Sequence, residues 1–96
     1  MKDVKITDEF AKWVSGLRDH RAKALIDKRI YRAASGNYGD YKSVGEGVLE
    51  LRIFYGAGYR IYFVERGSEL IVILAGGTKR GQQRDIKKAI DISKLV

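Results

Sequence analysis

The apolar residues of this chain follow a helical period before the Gly-containing loop that starts at Gly36, and a strand period after it. The first helical stripe consists of Phe10, Trp13, Val14 and Leu17, at intervals of three and four residues. Such spacing is typical of a helix with one buried face. Thr7 is a suitable N-cap for it. Polar and apolar residues alternate over Lys2–Ile6, which predicts a short strand before the helix.

A second stripe predicts a helix from about Asp19 to Ser35, ended by Gly36-Asn37. The positions of this stripe are Ala22, Leu25, Ile26, Arg29, Ile30 and Ala33. The opposite face carries the basic residues Arg21, Lys28 and Arg32. A solvated helix surface explains these charges without a partner.

Beyond the loop the period is two. Val48–Tyr55 and Tyr59–Glu65 alternate as strands do, and Gly56-Ala57-Gly58 between them indicates a hairpin. Leu70–Ala75 follows the turn Arg66-Gly67-Ser68 and is apolar on both faces, which predicts a central or covered strand.

A last helix is predicted over Gly81–Asp91, with Ile86, Ala89 and Ile90 as its apolar stripe. The predicted fold class is α+β. Two N-terminal helices pack on a small antiparallel sheet of three to four strands, a short C-terminal helix follows, and residues 1–96 form a single domain.

The three-residue loop predicts a hairpin register in which Tyr55 pairs with Tyr59. The other predicted pairs are Ile53 with Ile61, Leu51 with Phe63, Arg52 with Tyr62 and Phe54 with Arg60, and Leu74 then lies beside Arg60. One face of the sheet would hold Leu49, Leu51, Ile53, Ile61 and Phe63 as the core surface beneath the helices. The other face would hold Glu50, Arg52, Arg60 and Tyr62, with the turn 76–80 emerging near the same corner.

Charge and composition narrow the class of partner. Nineteen Lys and Arg against twelve Asp and Glu give a net charge of +7, and Leu70–Arg84 contains no acidic residue. This balance favours a polyanion or an acidic protein as partner; a solvated basic surface with no partner is the alternative. The absence of cysteine removes disulfides and thiolate metal sites. It suits a cytoplasmic location, and the lack of a long apolar run predicts no membrane segment.

Two arginines, a lysine and a tyrosine near one corner of a sheet have a chemical use on RNA. Guanidinium groups such as those of Arg52 and Arg60 bind phosphate bidentately, and cations stabilise the charge that builds on a phosphate during cleavage. A ring such as that of Tyr62 can stack on an unpaired base. Because the RNA 2′-hydroxyl can be the nucleophile, neither a metal nor another cofactor is required. The alternative is that Arg52 and Glu50 form a surface ion pair and Tyr62 only packs.

Proton transfer requires a base for the 2′-hydroxyl and an acid for the leaving oxygen. Glu50, Lys42 and Lys79 are the candidate bases, and Lys79 or Arg80 could lie near the leaving group. The one histidine, His20, lies between the predicted helices without an array of metal ligands, and is interpreted as a surface or cap residue. Gly76-Gly77-Thr78-Lys79 lacks the glycine spacing of a nucleotide-binding P-loop.

Three ordered motifs resemble the RelE/ParE toxin superfamily, and within it the HigB-like addiction module killer proteins. They are 49–53 (LELRI), 58–63 (GYRIYF) and 74–86 (LAGGTKRGQQRDI), and 10–13 (FAKW) resembles the first helix of that group. The resemblance covers nearly the whole chain. It implies a RelE-like fold and the toxin of a type II toxin–antitoxin module, which cleaves mRNA, usually on the ribosome, without a metal.

The resemblance also implies roles for residues and a partner. Arg52 and Arg60 match the strand arginines, Lys79 matches the motif lysine, and Gln82 or Gln83 matches the glutamine. The expected RNA-binding residues are Lys42, Arg80, Gln82 and Arg84, and the expected catalytic residues are Arg52, Arg60, Lys79, Tyr62 and Glu50. The implied protein partner is a cognate antitoxin of the helix-turn-helix class.

The chain departs from the pattern of that family in three respects. Glu50 stands where the RelE branch has a lysine, no tyrosine follows Tyr62, and the late histidine of some HigB-type toxins is missing. Because a shared fold does not fix function, two other functions stay open: a ParE-like toxin that binds DNA gyrase and cuts nothing, and a catalytically inert module that binds RNA or an acidic protein.

Overall fold

The computed structural model describes residues 1–96 and has three helices and one five-stranded sheet, so the chain is an α+β protein. The elements in chain order are β1 (Asp3–Ile6), α1 (Asp8–Ser15), α2 (His20–Ala34), β2 (Tyr41–Gly45), β3 (Val48–Ile53), β4 (Tyr59–Arg66), β5 (Leu70–Thr78) and α3 (Gln82–Ser93). The strand order across the sheet is β1-β5-β4-β3-β2.

The two N-terminal helices begin where their capping residues predict. The hydroxyl of Thr7 accepts a hydrogen bond from the backbone N–H of Phe10 at 3.1 Å. The carboxylate of Asp19 accepts from the N–H groups of Arg21 and Ala22. Each cap satisfies donors that the first turn of a helix leaves without a partner. The predicted helix positions are therefore confirmed.

The sheet is larger than expected and mixed, so the prediction of three to four antiparallel strands was wrong. The additional strand β2 pairs with β3 at one edge, and β1 runs parallel to β5 at the other. Four of the five residues of β2 are exposed and the strand contains polar Lys42 and Ser43, so it lacks the apolar alternation that identifies a half-buried strand.

The predicted hairpin register was wrong by two residues, although each side chain lies on the expected face. Tyr59 pairs with Ile53 rather than with Tyr55. Tyr55 instead belongs to the turn, where its carbonyl accepts a hydrogen bond from the N–H of Gly58 at 3.0 Å. A slip of two residues preserves the alternation of faces. Consequently the observed pairs are Arg52 with Arg60, Glu50 with Tyr62, Leu51 with Ile61 and Leu49 with Phe63.

A bulge in β5 changes what lies opposite Arg60. Tyr62 pairs with Ala75 and Phe63 with Ile73, so Leu74 is the extra residue and Arg60 pairs with Gly77. The predicted pair of Leu74 with Arg60 was wrong for two reasons: Arg66 pairs with Leu70, which shifts the register by two residues, and the bulge shifts it by one more. An extra residue reverses the alternation of faces along the rest of the strand, so Gly77 shares the face of Arg60.

Both faces of the sheet are covered by helices. The face toward α1 and α2 forms the larger core, as predicted: Phe10, Ala22, Ile26, Ala33, Leu51, Ile53, Tyr59, Ile61, Phe63, Ile71 and Ile73. The opposite face packs against α3 through Val48, Tyr62, Val64, Val72, Leu74, Ala75 and Ala89. The polar residues Glu50, Arg52 and Arg60 alternate with the core positions of β3 and β4, and so share the face toward α3.

Candidate nucleic-acid site

Arg52 and Arg60 are brought together at one end of the sheet. They are cross-strand partners on β3 and β4, and side chains of such pairs lie on the same face about 5 Å apart. The next residue across the sheet is Gly77 of β5. A Cβ atom at Gly77 would lie 2.1 Å from Oδ2 of Asp85, so the first turn of α3 packs directly beside this pair.

Arg60 is almost fully buried, yet part of its guanidinium has no partner within the protein. Its Nη1 donates to the carbonyl of Gly58 at 2.7 Å, whereas Nε makes no hydrogen bond. A Cβ atom at Gly58 would lie 2.8 Å from this Nη1 and 3.3 Å from Cβ of Lys79. Gly58 also has a φ of 75°, which a residue with a side chain rarely adopts. Glycine therefore leaves the room that the Arg60 guanidinium and the Cβ of Lys79 occupy at this turn.

Arg52 is held by an acidic residue that the sequence pattern did not single out. Its Nη2 lies 2.8 Å from Oδ1 of Asp40, so an ion pair with Glu50 is not what the structure shows. Arg29 of α2 donates to the carbonyl oxygens of Arg52 and Asp40. These contacts fix the backbone of both partners, and the Arg52 guanidinium carbon lies 6.0 Å from the ring centre of Phe54.

A cleft opens at the β3–β4 hairpin, with Arg60 and Lys79 among its lining residues. We call it the hairpin cleft, and its lining residues are Phe54, Tyr55, Gly56, Ala57, Gly58, Arg60 and Lys79. Its volume is about 330 Å³. Phe54 is 80% exposed, and sequence reasoning missed it as a candidate. A signal was present, because Phe54 continues the polar alternation Glu50, Arg52 with an apolar ring.

Glu50 and Tyr62 lie under α3 and are fully buried. Oε2 of Glu50 accepts a hydrogen bond from Nε2 of Gln82 at 2.9 Å, while Oε1 and the Tyr62 hydroxyl have no partner of regular geometry. Burial, and then the charge of Glu50, raise the pKa of Tyr62 far above its usual range. The expectation that the Tyr62 ring stacks on a base was therefore wrong, because the ring has no exposed surface. Gln82 reaches inward to Glu50 and is only partly exposed.

The remaining RNA-binding candidates are spread over neighbouring surfaces. Arg80 and Arg84 are exposed and line a groove between α1 and α3. Lys42 is exposed on the edge strand β2, opposite Glu50, and does not line the hairpin cleft. The structure thus brings together Arg52, Arg60 and Lys79, places Arg80 and Arg84 in the next groove, and separates Lys42 from both.

Gly76 and Gly77 have a packing role rather than a phosphate-binding one. Both belong to β5, and a Cβ atom at Gly76 would lie 2.2 Å from ring carbons of Trp13. The side chains of α1 and α3 thus pack on the bare backbone from opposite faces. The structure contains no group of three or more His, Cys, Asp or Glu side chains placed to hold a metal ion. None of the three helices has the length and apolar character needed to cross a membrane.

The fold and this cleft define a small, basic α+β protein with a cationic site at one end of its sheet. No family model matches the chain. The chain is 48% identical over 86 residues to an uncharacterized protein of Haemophilus influenzae (strain ATCC 51907 / DSM 11121 / KW20 / Rd), which covers 90% of this chain and 87% of that protein. The chain belongs to the same family as this Haemophilus protein.

Proposed function

We propose that this chain is an endoribonuclease of the RelE/ParE toxin superfamily, with a RelE-like fold. It is the toxin of a type II toxin–antitoxin module that cleaves mRNA on the ribosome and so inhibits translation in the cytoplasm. Its protein partner is a helix-turn-helix antitoxin. The observation that carries the proposal is the convergence of Arg52, Arg60 and Lys79 beside a cleft with an exposed aromatic ring.

The proposed reaction uses the RNA itself as nucleophile and no metal. The 2′-oxygen attacks the adjacent phosphorus, the bond from phosphorus to the 5′-oxygen breaks, and a 2′,3′-cyclic phosphate and a 5′-hydroxyl result. Arg52 and Arg60 stabilise the charge on the non-bridging oxygens. Lys79, which is exposed at the cleft, donates a proton to the leaving 5′-oxygen. The proton of the 2′-hydroxyl passes to water in the cleft.

Glu50 and Tyr62 have no part in this mechanism, because neither reaches the surface. They support the site from beneath: Glu50 binds Gln82 in the first turn of α3. Of the candidate acids and bases, Lys79 alone is both exposed and part of the hairpin cleft.

A ParE-like gyrase poison is the second candidate, and one observation favours it. With Glu50 and Tyr62 buried, the cleft offers one proton-transfer group instead of a base and an acid. A protein that acts only by binding needs neither a general base nor a general acid. A cationic cleft suits attachment to an anionic partner surface equally well.

Brief induction of the chain in bacteria distinguishes the two candidates. Transcripts are mapped at their 5′ ends while a DNA-damage reporter is followed in the same culture. We expect new 5′ ends inside coding sequences and no damage signal. Lys79→Ala should abolish the cuts and restore growth, whereas Lys5→Ala, the same charge change on β1, should remain as toxic as the parent.

Arg60 requires a different substitution from Lys79. Because Arg60 is buried, Arg60→Ala would leave a cavity and a carbonyl of Gly58 without its donor. Arg60→Lys retains the charge and loses the planar fork, and should lower cleavage while the fold persists. Damage with intact transcripts would replace the proposal with gyrase poisoning. Intact transcripts without damage would contradict both candidates.

A further inference from the structure

We propose that the hairpin cleft is a binding site for one nucleotide of single-stranded RNA, with the base on the Phe54 ring and its phosphate between Arg60 and Lys79. This inference rests on the proposed function for the class of ligand. It adds a base-binding residue, Phe54, to a site that otherwise recognises only phosphate.

The position of Phe54 is difficult to explain by folding alone. The ring is 80% exposed at the hairpin, so it adds little to the core, and a large apolar ring in water forgoes the free energy that its burial would supply. Arg52 lies 6.0 Å from its centre, within range of a cation–π contact. An aromatic face beside an arginine is the arrangement on which unpaired bases stack in proteins that bind single strands.

Arg60 and Lys79, the two cationic residues that line the cleft, define the proposed position of the phosphate. Arg60 lines the cleft, and its guanidinium makes a single hydrogen bond within the protein, from Nη1 to the carbonyl of Gly58. Lys79, whose Cβ packs beside Gly58, is a second cationic residue of the same cleft. A phosphate oxygen at this point would receive charge-assisted hydrogen bonds from both residues.

Tyr55, another lining residue of the hairpin cleft, is held in place by two contacts. The Tyr55 hydroxyl donates to Oδ2 of Asp19 at 2.9 Å, which ties the hairpin to the N-cap of α2. The Tyr55 ring is stacked with that of Tyr59, with ring centres 6.5 Å apart. A site built before the ligand arrives loses less entropy on binding. The cleft volume of about 330 Å³ is at the lower end of small-ligand pockets, which suits one nucleotide rather than several.

The exposed ring also decides between RNA and an acidic peptide. Cations alone would attract either partner, because both are polyanions. A carboxylate side chain has no face to stack on Phe54, whereas every base has one. The experiment must therefore report stacking and not only binding.

The test uses a short single-stranded RNA with 2′-O-methyl riboses, which cannot be cleaved, and one 2-aminopurine base. The fluorescence of 2-aminopurine falls when the base stacks. We expect the parent to bind and quench the probe. Phe54→Leu should bind ~10-fold more weakly and lose the quenching, whereas Phe54→Trp should retain both. Tyr31→Leu, which removes an aromatic ring that is 64% exposed on α2, should behave as the parent.

Two results would overturn the inference. One is a Phe54→Leu variant, folded by circular dichroism, that binds and quenches as the parent does. The other is a glutamate peptide of equal charge that displaces the RNA as well as unlabelled RNA does, which would identify the cleft as an acidic-peptide site. Because the probe cannot be cut, stacking on Phe54 in a chain that cleaves no RNA would support the pocket and reject the proposed endoribonuclease. Cleavage unaffected by Phe54→Leu would do the reverse.

Discussion

The two faces of the sheet are both covered by helices but are built from different chemistry. Every buried residue on the face beneath α1 and α2 is hydrophobic. The face beneath α3 is apolar at one end only, around Val48, Val64 and Val72. At its other end lie Glu50, Arg60 and Tyr62, all at most 8% exposed.

This difference locates the part of the fold in which polar side chains are buried. Burying a polar group is unfavourable unless a hydrogen bond compensates it. Six buried side-chain atoms lack a partner, and four of them belong to the α3 face: Glu50 Oε1, Arg52 Nε, Arg60 Nε and the Tyr62 hydroxyl. Buried polar groups without a partner are rare in native structures, and a catalytic role is one explanation for them. This is why the polar end of the α3 face is the candidate site.

Phe63 and Tyr62 are adjacent, fully buried and directed to opposite faces, so substituting each compares the two faces most directly. Phe63→Ala should lower the free energy of unfolding by about 3–5 kcal/mol, because it opens a cavity in the apolar core. Tyr62→Phe should change it little, because the hydroxyl that it removes makes no hydrogen bond of regular geometry, although Glu50 lies beside it. Urea unfolding at neutral pH measures both.

A large loss of unfolding free energy in Tyr62→Phe would contradict this comparison of the two faces. A loss above about 1.5 kcal/mol would mean that the hydroxyl makes a strong hydrogen bond to the neighbouring Glu50. The α3 face would then be a satisfied polar network rather than a partly satisfied one.

Gly76 and Gly77 allow the two faces to be compared within β5, because Gly76 packs against Trp13 of α1 and Gly77 against Asp85 of α3. Gly76→Ala should be destabilising by about 1–3 kcal/mol, because its Cβ would lie 2.2 Å from the Trp13 ring. Gly77→Ala should cost less, because the atom in its way is a carboxylate oxygen of Asp85 that can rotate. Thermal unfolding of the two variants gives the ranking. Equal losses would show that Asp85 is held as rigidly as Trp13.

The faces of the sheet were predictable from the sequence, whereas the register was not. Alternation with a period of two assigns Leu51 and Ile61 to the helical face whatever the loop length. The pairing itself depends on where the turn begins, and Tyr55 enters the turn although its residue type favours strands. Neither the bulge at Leu74 nor the polar strand β2 could be recognised from the spacing of apolar residues in the sequence.

The site was predicted in part, for a physical reason. Sequence alternation correctly gathered Glu50, Arg52, Arg60 and Tyr62 on one face, but it does not show how far a helix covers that face. The apolar stripe of α3 was recognised, with Ile86 and Ala89 among its members, yet its packing on the α3 face was not inferred. Asp40 was missed because it precedes a strand that carried no signal.

Two exposed lysines at opposite ends of β5 compare the proposed site with the rest of the basic surface. Lys79 follows β5, and Lys5 pairs with Val72 near its start. Lys79→Ala should weaken RNA binding several-fold and reduce the salt dependence of log Kd by about 0.7, the value of one single-strand phosphate contact. Lys5→Ala should change neither. Titrations of uncleavable RNA at several salt concentrations provide both quantities.

Equal effects of the two lysine substitutions would contradict a localised site. They would mean that the net charge of +7 attracts RNA to the surface as a whole, without a preferred position for the phosphate.

The smallest expected effect concerns Asp85, whose side chain is 13% exposed against Gly77. Burial raises the pKa of its carboxyl, against the opposing charges of Arg84 and Lys88. A raised pKa means that the folded state holds the proton more tightly. The stabilisation is therefore fully present below the unfolded pKa, near 3.8, and is lost as the pH rises through the folded value.

Asp85→Asn removes that titration and keeps the shape of the side chain. We expect the variant to be more stable than the parent at neutral pH, by about 0.5 kcal/mol or less, with the gain disappearing below the unfolded pKa. Urea unfolding across the pH range measures the difference. Asp91→Asn, an exposed change on the same helix, is the matched control. If it shows the same pH-dependent gain, the gain does not come from the packing of Asp85 at the polar end of the α3 face, because Asp91 is exposed.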